Sequence, residues 1–419
     1  MDTFMTTSSK SPLLISFITI FLDLLGFGII IPILPFFTKS LGASATEITL
    51  LAASYSLMQF LFSPIWGNIS DKVGRRPIML SSILISSIGY FVFASATELW
   101  ILFAARMLSG FGNANLGTAQ AIISDSTTDE NRSKGMGLIG AAFGLGFIFG
   151  PAIGAFLSQY TPQTPIYAAG ILSLANLILT FFILPETRIH NTKNKESPSI
   201  FQHPEILKKI VKLNNVLPLF FISFVGTVAF SQVEQIIALF IEAIWIPESI
   251  LGDERIKIAA RYTGYYLTIV GVVAATIQGG LIGKLNARFG EISLIRMGQI
   301  IIASALAMMP FIGQSQSFLL LLLSAPYLAV GTSILNPSKF SLLSQSAPAE
   351  LQGTVLGLNQ SFASLGRVIG PACAGMMFEY SINLPFYAGV LIMVPAIALS
   401  FFLTRPEKIP EETREDITP

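Results

Sequence analysis

The sequence predicts an all-α polytopic membrane protein whose twelve transmembrane helices form two pseudo-symmetric six-helix bundles. Three observations carry that expectation. The 419 residues are 52% hydrophobic and 12% charged, whereas soluble proteins average about 25% charged residues. A helix needs about 20 mostly apolar residues to cross a bilayer. Twelve such runs occur, near 13–38, 48–70, 78–96, 98–121, 135–158, 165–184, 216–244, 261–284, 292–313, 316–340, 351–378 and 383–403. Finally, "GLGFIFGPAIG" at 144–154 is echoed by "SLGRVIGPACAG" at 364–375, which aligns Gly146 with Gly366 and Gly150-Pro151 with Gly370-Pro371.

The first run exceeds a signal-peptide core, contains Asp23 and leads to no small-residue cleavage site, so it reads as the first span. After the second span comes "GNISDKVGRRP" at 67–77. Asp71 there sits near a helix C-terminus, where the helix dipole disfavours a carboxylate. Arg75 follows one turn later, Gly74 permits a tight reversal, and Asp125 at the end of the fourth span reaches the same layer. The fourth span also carries Arg106. The fifth holds Gly137, Gly140, Gly144, Gly150 and Gly154 with a bend at Pro151, and the eighth holds Gly264, Gly271, Ala275, Gly279 and Gly283. Small faces let helices touch backbone to backbone, so these two spans are expected to pack across the interface between the halves.

Between the sixth and seventh spans lies "PETRIHNTKNKESPSIFQHPEILKKIVKLNN", the longest polar interval, which contains His190 and His203. It divides an N-terminal bundle (1–187) from a linker (188–215), a C-terminal bundle (216–404) and a tail (405–419). Its "HPEILKKIVKLNN" part admits either a surface helix, with Leu207, Ile210, Val211 and Leu213 apolar and the lysines toward anionic headgroups, or a solvated linker. The seventh span carries Glu234 and the eleventh Arg367 and Cys373, the single cysteine, so no intrachain disulfide is possible. "GKLNARFGEI" keeps Gly283 and Gly290 at the spacing of Gly67 and Gly74 but has Ala287 in place of Asp71.

Orientation follows from the basic residues. With the N-terminus inside, nineteen of the 25 Lys and Arg fall on inner segments, Lys339 among them. The outer segments hold only Lys39, Arg255, Lys257 and Arg261. The positive-inside rule therefore puts both termini in the cytoplasm of a plasma-membrane protein. A net charge of +1 points to no nucleic-acid partner.

Asp23, Arg106, Glu234 and Arg367 lie within the spans, where ionisable groups are costly and so are functional candidates. At a rise of about 1.5 Å per residue, Asp23 and Arg106 come out at similar depths, as do Glu234 and Arg367. Two acid–base pairs are expected, one per half, and movement that separates such a pair can drive proton uptake.

Four motifs carry a family resemblance: "LDLLGFGIIIPILP", "GNISDKVGRRP", "RMLSGFG" and "GLIGAAFGLGFIFGPAIG". With them the chain resembles the drug:proton antiporter branch of the major facilitator superfamily, and its N-terminal half is most similar to tetracycline efflux proteins. The resemblance implies the major facilitator fold, proton coupling through Asp23 and Arg106, and a gating latch in the region of Gly67, Asp71, Gly74, Arg75, Arg76 and Asp125, with Asp71 also facing the eleventh span near Leu351. A latch that straddles the two halves would hold the inner gate shut. The resemblance further associates the Gly146, Gly150, Pro151, Gly154 motif, repeated at Gly370-Pro371, with exporters. It also makes the first, fourth, seventh and tenth spans line the cavity, along which Asn113, Asn115, Gln120, Gln232, Gln235, Tyr327 and Asn336 are candidate ligand contacts. One departure is evident: the histidine and acid that close tetracycline exporters carry in the eighth and ninth spans are missing here, which leaves Glu234 as the substitute and makes tetracycline a doubtful substrate.

The expected function is therefore secondary active transport: proton-coupled export, by alternating access, of a drug-like or amphiphilic molecule. Transport of an endogenous sugar, siderophore or lipid precursor is the alternative, and a non-transporting receptor or scaffold a remoter one. The histidines lack metal-ligand spacing and no phosphate-binding Gly-x-x-x-x-Gly-Lys-Ser/Thr loop occurs, so neither an enzyme nor direct ATP drive is expected. The expected partners are a small-molecule substrate, protons and the lipid bilayer, with no cofactor and a monomeric working unit.

Overall fold

Proline and glycine decide where the long apolar runs break. The structure, a computed structural model, describes residues 10–126, 142, 145, 146, 148–187, 204–348 and 351–405. Helix α1 (Lys10–Ile30) and α2 (Leu34–Ser40) meet at 49° around Pro32 and Pro35, because proline lacks the N–H that the helix ladder needs. Helix α3 (Ala45–Val73) starts on a capping box of Ser44 and Glu47 and stops at Gly74, whose φ of 119° suits glycine. It is followed by α4 (Arg75–Ala94). The fourth apolar run splits into α5 (Leu99–Gly112) and α6 (Leu116–Asp125) around Asn113 and Asn115.

Next come α7 (Ile148–Leu157), α8 (Thr164–Ile183) and the short α9 (Pro204–Val211). Helix α10 (Val216–Trp245) precedes α11 (Gly252–Thr276), which passes through a π-turn at Ile277–Leu281 into α12 (Ile282–Phe289). Gly290 repeats the reversal of Gly74 with φ 76°. Helices α13 (Glu291–Ser315), α14 (Phe318–Gln345), α15 (Gln352–Tyr380) and α16 (Leu384–Ser400) complete the chain.

Among the described residues there is no strand. Among those residues, seven helices are long and apolar enough to cross a membrane, or eight if α1 and α2 count as one bent span. Large side chains such as Trp100, Phe182, Phe311, Leu391 and Phe402 point outward. An apolar belt of that kind is what lipid requires of a multi-pass integral membrane protein. The polar interval forms the surface helix α9, with Ile210 buried in the core of the C-terminal half and Lys208 and Lys209 exposed. Gly137, Gly140, Gly144, His190 and His203 lie outside the described residues.

The internal repeat is visible in packing. A Cβ on Gly150 would sit 2.6 Å from the Cα of Gly28 on α1, and one on Gly370 would sit 2.7 Å from the carbonyl oxygen of Val228 on α10. Gly146, Gly154 and Gly366 make equally close approaches to Leu24, Ile29 and Phe224. The expected packing of the fifth span on the eighth is present, although the described glycines Gly146, Gly150 and Gly154 seat against α1. The contact with α11 falls instead at Ala155 and Gly264, and Gly279 and Gly283 face open space.

Arginine caps repeat as well. Arg76 Nη2 donates to the Phe181 carbonyl at 2.7 Å, and Arg296 Nε donates to that of Ser400 at 3.1 Å. Each guanidinium lies over a ring, Phe181 or Phe401. Cations are favourable at helix C-termini, so Arg76, expected in the gating latch, serves to end α8.

Candidate functional site

Asp23 lies well inside α1 and accepts a hydrogen bond from Asn115 Nδ2 at 3.0 Å. It makes no ion pair with Arg106. The Arg106 guanidinium lies 4.6 Å from the ring centroid of Tyr55 and 5.8 Å from that of Phe93, only 3% of the residue is exposed, and its Nε and Nη1 have no acceptor among the described residues. Gly110 makes this possible, since any Cβ there would collide with the Tyr55 carbonyl. The expected Asp23–Arg106 pair is replaced by two separate contacts. Equal depth along neighbouring helices sets only one coordinate, and the direction of each side chain sets the other.

Tyr55 organises the polar interior. Its hydroxyl accepts from Asn113 Nδ2 at 3.0 Å and Gln59 Nε2 at 3.2 Å, and its ring stacks on Phe27. Asn113 also donates to Tyr90 and accepts from Ser86 Oγ at 2.8 Å. The break between α5 and α6 thus sends Asn115 to Asp23 and Asn113 into the packed core. Tyr55 and Gln59, polar residues one turn apart within an apolar run, are the sequence signal for this network.

In the other half, Glu234 on α10 and Arg367 on α15 are close enough to interact electrostatically but form no ion pair within 4.0 Å. Arg367 Nη2 donates to Ser364 Oγ at 2.9 Å, and its charge is also felt by Tyr55 across the seam between α3 and α15. Asp23, Glu234 and Arg367 are all half-buried far along their helices, as groups lining a crevice between the halves would be. Lys339, expected on an inner flanking segment, is 3% exposed within α14, and its Nζ donates to Asn336 Oδ1 at 3.3 Å.

The other cavity candidates separate. Gln120 and Asn336 are exposed, and Gln235 is buried. Gln232 is 2% exposed, with Oε1 unpartnered near Gly389 of α16, so it points into its own bundle. Tyr327 shares a 2.9 Å hydrogen bond with Ser304 of α13 and lines an outward groove with Met308, Phe311 and Leu323. Both are corrected as cavity contacts.

The two ends of the bundle differ. At the end bearing the α3–α4 turn, Arg75 bonds Asp71 (2.5 Å), Asp125 (3.1 Å) and Ser70 (2.7 Å), and Glu186 accepts from the Arg75 and Arg76 amides. The expected cluster forms and gains Glu186, and these partners, among the described residues, belong to the N-terminal half. Gly67 has open space around it.

At the opposite end, polar contacts cross. Lys39 Nζ lies 2.9 and 3.0 Å from the two carboxylate oxygens of Glu242, which Arg255 Nε also reaches at 2.8 Å. Thr46 N donates to Glu379 at 2.8 Å, and Arg261 Nη2 to Gln159. The hydrogen bonds between the halves among the described residues all lie at this end, which leaves the other end to open.

The sequence profile of the Major Facilitator Superfamily matches residues 16–371 and 254–418. Tetracycline resistance protein, class B, of Escherichia coli is 28% identical over 413 residues, covering 96% of this chain and 97% of its own. Multidrug resistance protein 2 of Bacillus subtilis (strain 168) is 29% identical over 393 residues, covering 93% and 94%. The fold is shared with a bacterial homolog of the human lysosomal transporter Spinster, solved in an inward-facing and unoccupied conformation, at a TM-score of 0.72 and 14% identity over 94% of this chain and 97% of that one. With a repeated helical scaffold, ionisable groups within its spans and a profile match along nearly its whole length, the chain belongs to the Major Facilitator Superfamily and is a transporter, not an enzyme.

Proposed function

We propose that the protein is a proton-coupled antiporter of the plasma membrane that exports a drug-like or amphiphilic small molecule by alternating access. The observation that carries this reading is a pair of interior carboxylates, Asp23 and Glu234, one in each half and neither held in an ion pair among the described residues. Each is therefore available to accept and release a proton as the halves move. Residues 1–187 and 216–404 act as the rocking bodies, and the basic end faces the cytoplasm with both termini.

In this conformation the Lys39–Glu242 link closes the outer end, and substrate and protons exchange with the inner side. The opposite posture requires that link to part and the end near Arg75 to close on α15. The tetracycline and multidrug resistance relatives support the choice of cargo class.

The test is substrate-induced pH change in proteoliposomes, screened with a tetracycline, a lipophilic cation and a sugar. Proton flux linked to export, lost in Asp23→Asn, is the expected result. Export without proton flux would sink the antiport reading.

A further inference from the structure

We propose that Lys339, Asn336 and Arg367 form a basic subsite in the C-terminal wall of the crevice that receives the acidic group of an amphiphilic organic anion. The inference deepens the export reading and rests on it.

The first observation is an uncompensated charge. Lys339 is almost wholly buried, its ammonium has one hydrogen-bond partner, the neutral amide oxygen of Asn336, and no carboxylate lies within 4.0 Å of it among the described residues. The charge it feels is a like one, that of Arg367. Arg367 likewise makes no ion pair, bonding Ser364 and feeling Glu234 only at longer range. Removing a cation from water without a counter-ion costs several kcal/mol. A bound anion between the two cations removes that cost.

The second observation is the charge count of the interior. Two acids, Asp23 and Glu234, accompany three basic residues, Arg106, Arg367 and Lys339, within the spans, so basic groups outnumber acids there among the described residues. A crevice lined by one sign of charge concentrates ligands of the other.

The third is access. Gly298 of α13 packs on Gly331 and Leu335 of α14, while Asn336 and Phe340 are exposed on the side away from that contact. The Lys339 ammonium therefore lies under an exposed amide, next to an exposed ring. An incoming carboxylate displaces the Asn336 oxygen from Lys339, the amide turns its N–H toward the ligand, and Phe340 meets the apolar body. Asn115 in the first half binds the carboxylate of Asp23. One interior amide thus serves an acid and the other, Asn336, a base.

The experiment uses the full-length purified protein and two probes with one aromatic body, dansylglycine and its uncharged amide. A hydrogen bond to a charged group contributes about 1.5–3 kcal/mol, so the acid should bind the parent about tenfold or more tighter than the amide. That preference should vanish in Lys339→Gln and persist in Lys339→Arg, with monodispersity on size exclusion checking the fold. Equal or tighter binding of the amide by the parent overturns the proposal, as does an unchanged preference in Lys339→Gln. Should Lys339→Gln fail to fold, Arg367→Gln is measured in its place against the same criterion. In proteoliposomes, proton-linked export of a lipophilic cation but not of dansylglycine rejects the anion subsite alone. Absence of proton-linked export for every probe rejects the antiporter reading itself.

Discussion

The two halves share a skeleton and differ in their charges. Gly150 seats on α1 as Gly370 does on α10, Gly74 and Gly290 make the same reversal, and Arg76 and Arg296 end α8 and α16 in the same way. Where the first half has an Arg75–Asp125 ion pair, the second has Glu291 accepting from Ser341 and the amide of Gln345. Asn115 serves Asp23, while Asn336 serves Lys339. Repetition marks what any six-helix bundle needs in order to pack, and divergence marks the residues that act on cargo and protons.

The largest effect should separate the carboxylates. Positioned proton-transfer groups are worth about 100-fold or more, so Asp23→Asn should cut proton-driven export by that order, and Glu234→Gln by about tenfold, given the electrostatic support of Arg367. Transport rates at fixed pH gradient decide this. Equal losses would make the halves equivalent partners and remove the asymmetry.

Next comes the link between the halves. Glu242 is 4% exposed and bonded from both sides. The Lys39 side chain is 53% exposed and exposed ion pairs are worth about 0.2–1 kcal/mol, so Glu242→Gln should shift the population modestly toward outer opening. Spin labels on cysteines replacing Thr97 and Gln314, in a Cys373→Ser background, report the outer-end distance. An unchanged distribution would remove the latch role from the Lys39–Glu242 contact.

Equal effects on stability should follow at the repeated positions. Overpacking costs about 1–3 kcal/mol, so Gly150→Val and Gly370→Val should lower thermal stability alike. Arg76→Ala and Arg296→Ala each lose a helix-terminal cation worth about 0.3–1 kcal/mol, again in parallel. A marked difference within either pair, read by thermal unfolding in detergent, would show that the shared skeleton is not mechanically equivalent.

Much of this was legible in the residues. The apolar runs, the Gly-Pro repeat, the Asp71–Arg75–Asp125 cluster and the presence of interior charges all follow from composition and spacing. Partners did not. Asp23 and Arg106 matched in depth yet turned to Asn115 and Tyr55, Gln232 and Tyr327 pointed away from the crevice, and Lys339 lay inside the bundle, not on its flank.

By itself the sequence determined that the chain must live in lipid, that it reverses at Gly74, and that the second half repeats the Gly-Pro motif of the first. These are consequences of local chemistry: hydropathy over a run of residues, a missing amide hydrogen, a side chain reduced to hydrogen. Only the tertiary structure decided which charge meets which neighbour and at which end the halves are joined. Rise along a helix is the same for every sequence, whereas the direction of a side chain around that helix acquires meaning only when another helix lies against it.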